Sequence, residues 1–331
     1  TIDGSGNISG DVTITDGGSL IASDGSVTGT ITYNRSVPTT DWYLISCPVS
    51  GQDIDAFVSA EGLATGTGNN MGFADFNNNS NSWSYYQNGA SGTGPFNTGQ
   101  GHSIKLATTG TVSFSGTFNG TDADINLTTG SSNNYNLIGN PYLASVSVVE
   151  LLNENSLELN ESTVWVWDKV TSSYGQKNLA SDLEIAPGQG FFVETSGSNV
   201  FSITEAMQSH TEDTFLRLSP RPEIELTLSD GGSIRNTDIF YIEGTTTGFD
   251  NGYDSTLFGG STNSFEIYTH LVSDSQGQDF GIQSLPDNNY ENMVIPVGVN
   301  ALSGTDITIS ALASNLPAGI SLFLEDKTDD S

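Results

Sequence analysis

The stretch Trp42-Tyr43-Leu44-Ile45-Ser46-Cys47-Pro48 decides the fold, because the chain carries it twice. It returns as Asn134-Tyr135-Asn136-Leu137-Ile138-Gly139-Asn140-Pro141. A second landmark also repeats, first as Phe96-Asn97-Thr98-Gly99-Gln100-Gly101-His102 and then as Ile185-Ala186-Pro187-Gly188-Gln189-Gly190-Phe191. Self-similarity at one offset, here roughly 90 residues, is the sequence signature of a repeated structural unit. We therefore predict two copies of one β-rich unit.

Short apolar runs between turn residues predict the fold class. The chain has 331 residues, of which 38 are Gly, and short strands with tight connections are typical of sandwiches, barrels and β-solenoids. We expect an all-β fold of tandem β-sandwich modules, immunoglobulin-like or jelly-roll in type, after a short β-solenoid-like segment. The predicted segments are a solenoid-like cap at 1–36, repeat 1 at 37–127, repeat 2 at 128–218 and a C-terminal β-sandwich at 219–331. The two repeats either share one core or form two domains.

Local patterns predict individual elements. Residues 53–58 place an Asp in the N-cap position before apolar residues at i, i+3 and i+4, which predicts a short helix, and residues 146–152 predict its counterpart in the second repeat. Alternation with period 2 predicts a strand over 223–229, and an apolar run predicts another over 320–324.

Charge restricts the partners. The chain has 39 Asp and Glu against 8 Lys and Arg, a formal net charge of −31, and such a field repels phosphate backbones and anionic lipids. No apolar run reaches the length of about 18 residues that a membrane-spanning helix needs. We expect neither nucleic acid binding nor membrane insertion. Cys47, the single cysteine, excludes an intramolecular disulfide, and its apolar neighbours predict a buried, inert thiol.

Two acidic loops suggest calcium as a cofactor. Asp75, Asn77 and Asn79 place oxygen atoms at alternate positions, and Asp250 and Asp254 flank a second acidic turn. Carboxylate and amide oxygens are ligands that calcium prefers, although the first loop lacks the Gly and Glu of an EF-hand. We predict these five residues as calcium ligands. For the second loop, the alternative is a hydrogen-bonded turn that starts the next element.

Aromatic residues suggest a glycan site. Trp83, Tyr85 and Tyr86 stand beside an Asn-rich stretch, and Tyr174 occupies the matching region of the second repeat. Flat aromatic faces beside amide groups suit a sugar-binding cleft, so we predict these four residues as ligand-binding. The alternative is burial in the core, which we favour for Trp165 and Trp167 because their strand is apolar on both faces.

Catalytic motifs are missing from the sequence. His102, His210 and His270 lie far apart, and the chain has no nucleophile elbow, P-loop or dinucleotide fingerprint. Pairs of carboxylates that meet only in the folded chain stay open as an alternative. We predict that the protein is not an enzyme.

Residues 30–331 resemble a known family, the cargo and surface proteins of the type IX secretion system of Bacteroidetes. The resemblance lies in residues 42–48, 136–142, 185–193, 205–208, 248–254 and 324–326. It implies an extracellular or outer-surface location, and it transfers no catalytic residue because such modules accompany adhesins, polysaccharide-degrading enzymes and proteins of unknown role. Relatives usually carry a signal peptide and a C-terminal sorting domain, which are not visible here.

Together these patterns predict a non-enzymatic, secreted or cell-surface adhesion or structural protein. Its expected partners are extracellular glycans or other surface proteins, with calcium binding and self-association as further expectations. The alternative is a carbohydrate-binding module of a secreted polysaccharide-degrading enzyme. An exposed, coplanar set among the four predicted aromatic residues would distinguish this alternative.

Overall fold

The computed structural model of the protein describes residues 2–4, 7–22, 25–169, 171–181, 183–210, 221–260 and 263–327. Nearly all the regular structure in these ranges is β, which confirms the predicted all-β, sandwich-type class. The chain forms two compact units, Thr1–Leu216 and Arg217–Ser331, and each is described by itself. The division into four segments, at 1–36, 37–127, 128–218 and 219–331, stays a prediction. No helix in the described ranges is long and apolar enough to cross a membrane.

The first unit begins with two turns of a parallel β-solenoid. The strands are β1 (Ile2–Gly4), β2 (Ile8–Ser9) and β3 (Val12–Ile14) in one turn, and β4 (Leu20–Ala22), β5 (Val27–Thr28) and β6 (Ile31–Val37) in the next. Each strand pairs in parallel with its counterpart one turn later. Leu20 and Ile31 are fully buried in the apolar cluster that also contains the core of the first repeat, so the solenoid turns are packed on that repeat.

The first repeat joins a four-stranded sheet to the end of the solenoid. Its elements are β7 (Tyr43–Ser46), α1 (Ile54–Ala60), β8 (Asn70–Asn77), β9 (Ser82–Gln87), β10 (Gly101–Ile104) and β11 (Gly110–Gly116). The sheet order is β7-β10-β8-β9, and β11 pairs with β6. The Asp53 carboxylate accepts a hydrogen bond from Ala56 N at 2.9 Å, which confirms the predicted N-cap of α1.

The second repeat has the same strand order. Its elements are β13 (Tyr135–Gly139), β14 (Ser145–Ser147), α2 (Val148–Glu154), β15 (Val164–Asp168), β16 (Ser173–Lys177), β17 (Glu184–Ile185), β18 (Gly190–Glu194), β19 (Val200–Ile203) and β20 (Gln208–Ser209). Strand β12 (Ala123–Asn126) lies before the predicted boundary at residue 128, but it packs in the core of this repeat. The sheet order is β13-β18-β15-β16, and β12 pairs with β19 as β6 does with β11. Both repeats lie in one compact unit, and the second has its own apolar cluster.

The second unit is built on a mixed sheet. Its strands are β21 (Glu223–Ser229), β22 (Ile234–Ile242), β23 (Ser255–Thr256), β24 (Glu266–Thr269), β25 (Phe280–Pro286), β26 (Val297–Asn300) and β27 (Thr308–Ser314). The order is β26-β24-β25-β22-β21-β27, with β23 also on β25. Buried residues alternate along β21, as period 2 predicted. The strand predicted over 320–324 is wrong: Leu322, Phe323 and Leu324 are exposed in irregular chain, because no described strand pairs with them.

Candidate functional site: the junction of the two repeats

The repeated landmarks are the places where the two repeats touch. Ser46 N donates a hydrogen bond to Gly188 O at 2.9 Å, and Gly139 N donates to Gly99 O at the same distance. Ser46 and Gly139 end the first strands of their sheets, and Gly99 and Gly188 begin the two Gly-Gln-Gly motifs. In each repeat, the end of the first strand therefore donates a hydrogen bond to the glycine motif of the other repeat. This reciprocity is that of an approximate two-fold relation.

The junction is too close for side chains at several glycines. A Cβ atom on Gly101 would lie 2.7 Å from Ile138 O, and one on Gly190 would lie 2.9 Å from Ile45 O. Ordinary van der Waals contacts begin near 3.4 Å. The preceding glycines, Gly99 and Gly188, have φ of +74° and +66°, a left-handed region that glycine enters without steric cost. Backbone approach thus explains the repeated glycines.

An aromatic cluster fills the junction beside this backbone contact. Phe192 is fully buried, and its ring centroid lies 4.9 Å from Phe76, 6.2 Å from Trp83 and 5.4 Å from Tyr174, all near edge-to-face. Phe76 pairs with Trp83 across the β8–β9 hairpin, and Trp167 pairs with Tyr174 across the β15–β16 hairpin. One side chain of repeat 2 therefore joins the hairpins of both repeats.

The four residues predicted for glycan binding fall in different places. Trp83 and Tyr174 are half-buried at the Phe192 cluster, and burial raises the pKa of Tyr174. Tyr86 lies on the opposite face of β9 and packs on buried Phe73 at 4.8 Å. Tyr85 is 39% exposed. The four rings thus form no single flat surface, and their role in glycan binding stays a prediction.

Exposed Tyr85 packs beside half-buried Trp42. The Tyr85 ring lies 5.9 Å from Trp42, and Lys105 Nζ lies 5.8 Å from the centroid of the Trp42 ring. Sequence reasoning does not identify Trp42 as a site residue, because the sequence presents it only as the first residue of the repeated landmark. Trp165, which we predicted for the core, is fully buried, whereas Trp167 is half-buried on Tyr174.

An Asp–His–Tyr cluster lies inside the first repeat. His102 Nδ1 is 2.6 Å from Asp75 Oδ1, and the Tyr86 hydroxyl donates to Asp75 Oδ2 at 3.2 Å. Burial, followed by the Asp75 charge, raises the pKa of Tyr86. His102 is fully buried and stacks on Phe73 at 4.8 Å, while Phe191, its counterpart in the second repeat, lies in that repeat's core. The imidazole therefore occupies a core position shielded from solvent.

The remaining predicted calcium ligands in the first repeat also have partners. Asn77 Oδ1 accepts a hydrogen bond from Asn79 N at 3.0 Å, and Asn79 Oδ1 accepts one from Ser131 N at 3.3 Å. Asp75 Oδ1 contacts His102 and Asp75 Oδ2 accepts a hydrogen bond from Tyr86. The side-chain oxygens of this turn therefore accept hydrogen bonds from the protein's own backbone and side chains, which stabilises the turn.

The second acidic loop is closed in the same way. Asp254, fully buried, accepts from Asp250 N and Ser284 N, both at 2.7 Å, and Asp250 Oδ2 accepts from Thr246 N at 2.5 Å. Burial raises the pKa of Asp254 to about 7. Within the described ranges, no group of three or more His, Cys, Asp or Glu residues could hold a metal ion. Calcium stays a prediction at both loops.

Cys47 is buried, as predicted, and the burial raises the pKa of its thiol to about 12. The thiol is therefore protonated and inert at neutral pH.

Residues 5–179 match a family described as a domain of unknown function, DUF8693. This range includes most of the solenoid turns, the whole first repeat and the second repeat through β16, so it contains both hairpins of the aromatic cluster. No curated protein and no solved structure matches the chain.

Proposed function

Because the chain belongs to the DUF8693 family, whose function is unknown, we propose a function from its own structure. The protein is a non-enzymatic adhesion or structural protein that acts outside the cell, either secreted or on the outer cell surface. Its partners are extracellular glycans, other surface proteins or further copies of itself.

One observation carries this proposal: the residues that occur twice in the sequence are used to join the repeats. Gly101 and Gly190 allow the backbones to approach, and Phe192 packs both hairpins together. Buried aromatic groups of this kind stabilise a fold strongly, with about 0.5–1.5 kcal/mol per ring pair beyond the burial of their area. A repeated pattern used for packing supports a scaffold role.

The net charge and the resemblance to type IX secretion cargo support the proposed extracellular location. A net charge of −31 keeps a protein soluble and resists aggregation. The segments 42–48 and 185–193, which resemble type IX secretion cargo, support an extracellular address. The catalytic alternative has less support, because His102, paired with Asp75, is fully buried.

A polysaccharide assay tests the proposal. The purified chain is incubated with a panel of insoluble polysaccharides, once with calcium and once with a chelator, and both the bound chain and the released reducing ends are measured. We expect no release above that of heat-unfolded chain in either arm. Release that depends on the folded chain would contradict a non-enzymatic function.

A second candidate function is carbohydrate binding through Trp42 and Tyr85, because Tyr85 is exposed and half-buried Trp42 packs beside it. Tyr85→Ala and Trp42→Ala should then each abolish binding of the chain to the insoluble polysaccharide that retains the wild-type chain. Phe249→Ala, at a 45% exposed aromatic residue of the second unit, is the matched control and should retain it. Equal retention by all three variants would sink this candidate.

A further inference from the structure

Strand β27 forms one edge of the sheet in the second unit. It pairs antiparallel with β21 along its whole length of seven residues, and it ends the strand order of the described sheet. Five of the seven residues are exposed, including Leu312 at 65%. An edge strand offers a row of backbone N–H and C=O groups to any strand that can approach it.

This edge lacks the devices that usually protect one. Natural edge strands are blocked by charges, prolines or bulges. Here the register with β21 is unbroken, and β27 has neither a proline nor a charged residue. The chain carries no Asp, Glu, Lys or Arg between Asp306 and Glu325. In a protein with a net charge of −31, this stretch is a neutral strip.

Among the described residues, nothing covers the apolar face of the sheet where it reaches this edge. Ala311 and Ala313 stand opposite Leu226 and Ile224, which are buried core residues, and yet both alanines are exposed. Leu312 projects from the other face, opposite Glu225. Burying apolar surface of this kind contributes about 25 cal/mol per Å², so a strand that covers the edge gains both hydrogen bonds and apolar contact.

We propose that β27 is a self-association strand, to which β27 of a second copy adds antiparallel about a two-fold axis. This inference rests on the proposed structural function and specifies its partner. The neutral strip favours a second neutral strip, because contact between two such strips brings no like charges together, whereas contact between two acidic surfaces does. A basic partner would instead be attracted to the acidic surfaces.

Charge also sets the direction of pairing. In an antiparallel pair, the two copies of Asp306 lie at opposite ends of the strands. In a parallel pair, they would lie side by side, and like charges in that position destabilise a sheet. A two-fold antiparallel contact is also self-complementary and closed, so it produces a dimer rather than an open fibre.

Sedimentation of the full chain over a range of concentrations tests the inference, at an ionic strength that screens the net charge. We expect a concentration-dependent dimer, and we expect Leu312→Glu to raise its dissociation constant at least about tenfold. The matched control is Leu157→Glu, at an 88% exposed leucine of the first unit, which should leave the constant unchanged. A chain that stays monomeric, or a dimer that both variants weaken equally, would overturn the inference.

Cross-linking gives a second measurement that does not depend on a disruptive variant. Ala311→Cys should form a disulfide-linked dimer under mild oxidation, because the strand centre lies near the two-fold axis, whereas Leu157→Cys should not. Native Cys47 does not compete, since it is buried with a raised pKa. Equal cross-linking of the two variants would contradict the proposed contact. A monomer that releases no reducing ends overturns this inference alone, whereas release of reducing ends overturns the proposed function.

Discussion

Gly139 lies at one of the close contacts in the junction between the repeats. A Cβ atom there would lie 2.4 Å from Ser46 Cβ and 2.7 Å from Gln189 O, so a single methyl group tests whether the two halves need their close contact. Individual contacts differ in whether they can be predicted from the sequence. The Asp53 cap follows from neighbours in the chain, whereas the pairing of Asp75 with His102 depends on strands that meet only after folding.

We expect Gly139→Ala to destabilise the first unit by about 1–3 kcal/mol, because added volume in a packed contact forces backbone shifts. Urea unfolding followed by tryptophan fluorescence measures the loss. Gly62→Ala is the matched control, since no atom lies within 4 Å of a Cβ built at Gly62. A loss in the control as large as that of Gly139→Ala would refute the close-contact explanation.

The buried Asp254 predicts a pH dependence of the second unit. Burial raises the pKa of its carboxyl from 3.8 to about 7, so the folded state binds more protons than the unfolded state between these values. The contribution of Asp254 to stability is therefore largest below pH 4 and is lost as the pH rises toward 7, by at most about 1.4 kcal/mol per pH unit.

The variant Asp254→Asn cannot titrate, so we expect the stability difference between wild type and variant to shrink as the pH rises from about 5 to about 8. Urea unfolding at several pH values measures it. Asp230→Asn is the control: backbone hydrogen bonds from Ser233 and Gly232 lower the pKa of exposed Asp230, so its contribution is lost only in acid. Its difference from wild type should stay constant across this window. Parallel pH profiles for both variants would rule out the role of Asp254.

At the scale of elements, the two repeats share one strand order, although side chains at matching positions can differ, as His102 and Phe191 do. Period 2 predicted β21 and helical spacing predicted α1, because both patterns are local. The order β7-β10-β8-β9 is set by pairings between distant strands, which no local pattern encodes. The strand predicted over 320–324 failed for the same reason: an apolar run becomes a strand only beside a partner.

Phe192 links the two hairpins, so we expect Phe192→Ala to cost about 3–5 kcal/mol, the range for removing a buried phenylalanine side chain. The fluorescence of Trp83 should shift to the red in the folded variant, because its ring contacts Phe192. Leu157→Ala, at an exposed residue, is the apolar truncation control and should cost less than about 0.5 kcal/mol. Similar costs for the two variants would argue against a linking role.

At the scale of the whole molecule, charge dominates. Repulsion among like charges opposes the compact state, and 39 acidic residues against 8 basic ones make the chain strongly self-repelling. Composition alone shows this property. Composition does not show, by contrast, which uncharged segments of the chain form exposed edge strands. The structure is needed for that.

We therefore expect the unfolding temperature to rise by a few degrees between about 0.01 M and about 0.3 M sodium chloride, because the screening length falls below about 10 Å over that range. Differential scanning calorimetry measures the shift. Calcium chloride at equal ionic strength is the control, since it separates screening from the binding predicted at Asp75 and Asp250. An unfolding temperature that falls with salt would contradict the charge argument.

The two-fold-like junction has a consequence for the extracellular role proposed above. Two separate chains joined through such a contact would come apart on dilution. Because both repeats belong to one chain, each holds the other at an effective concentration on the order of millimolar. The contact between the two repeats therefore does not depend on the concentration of the protein.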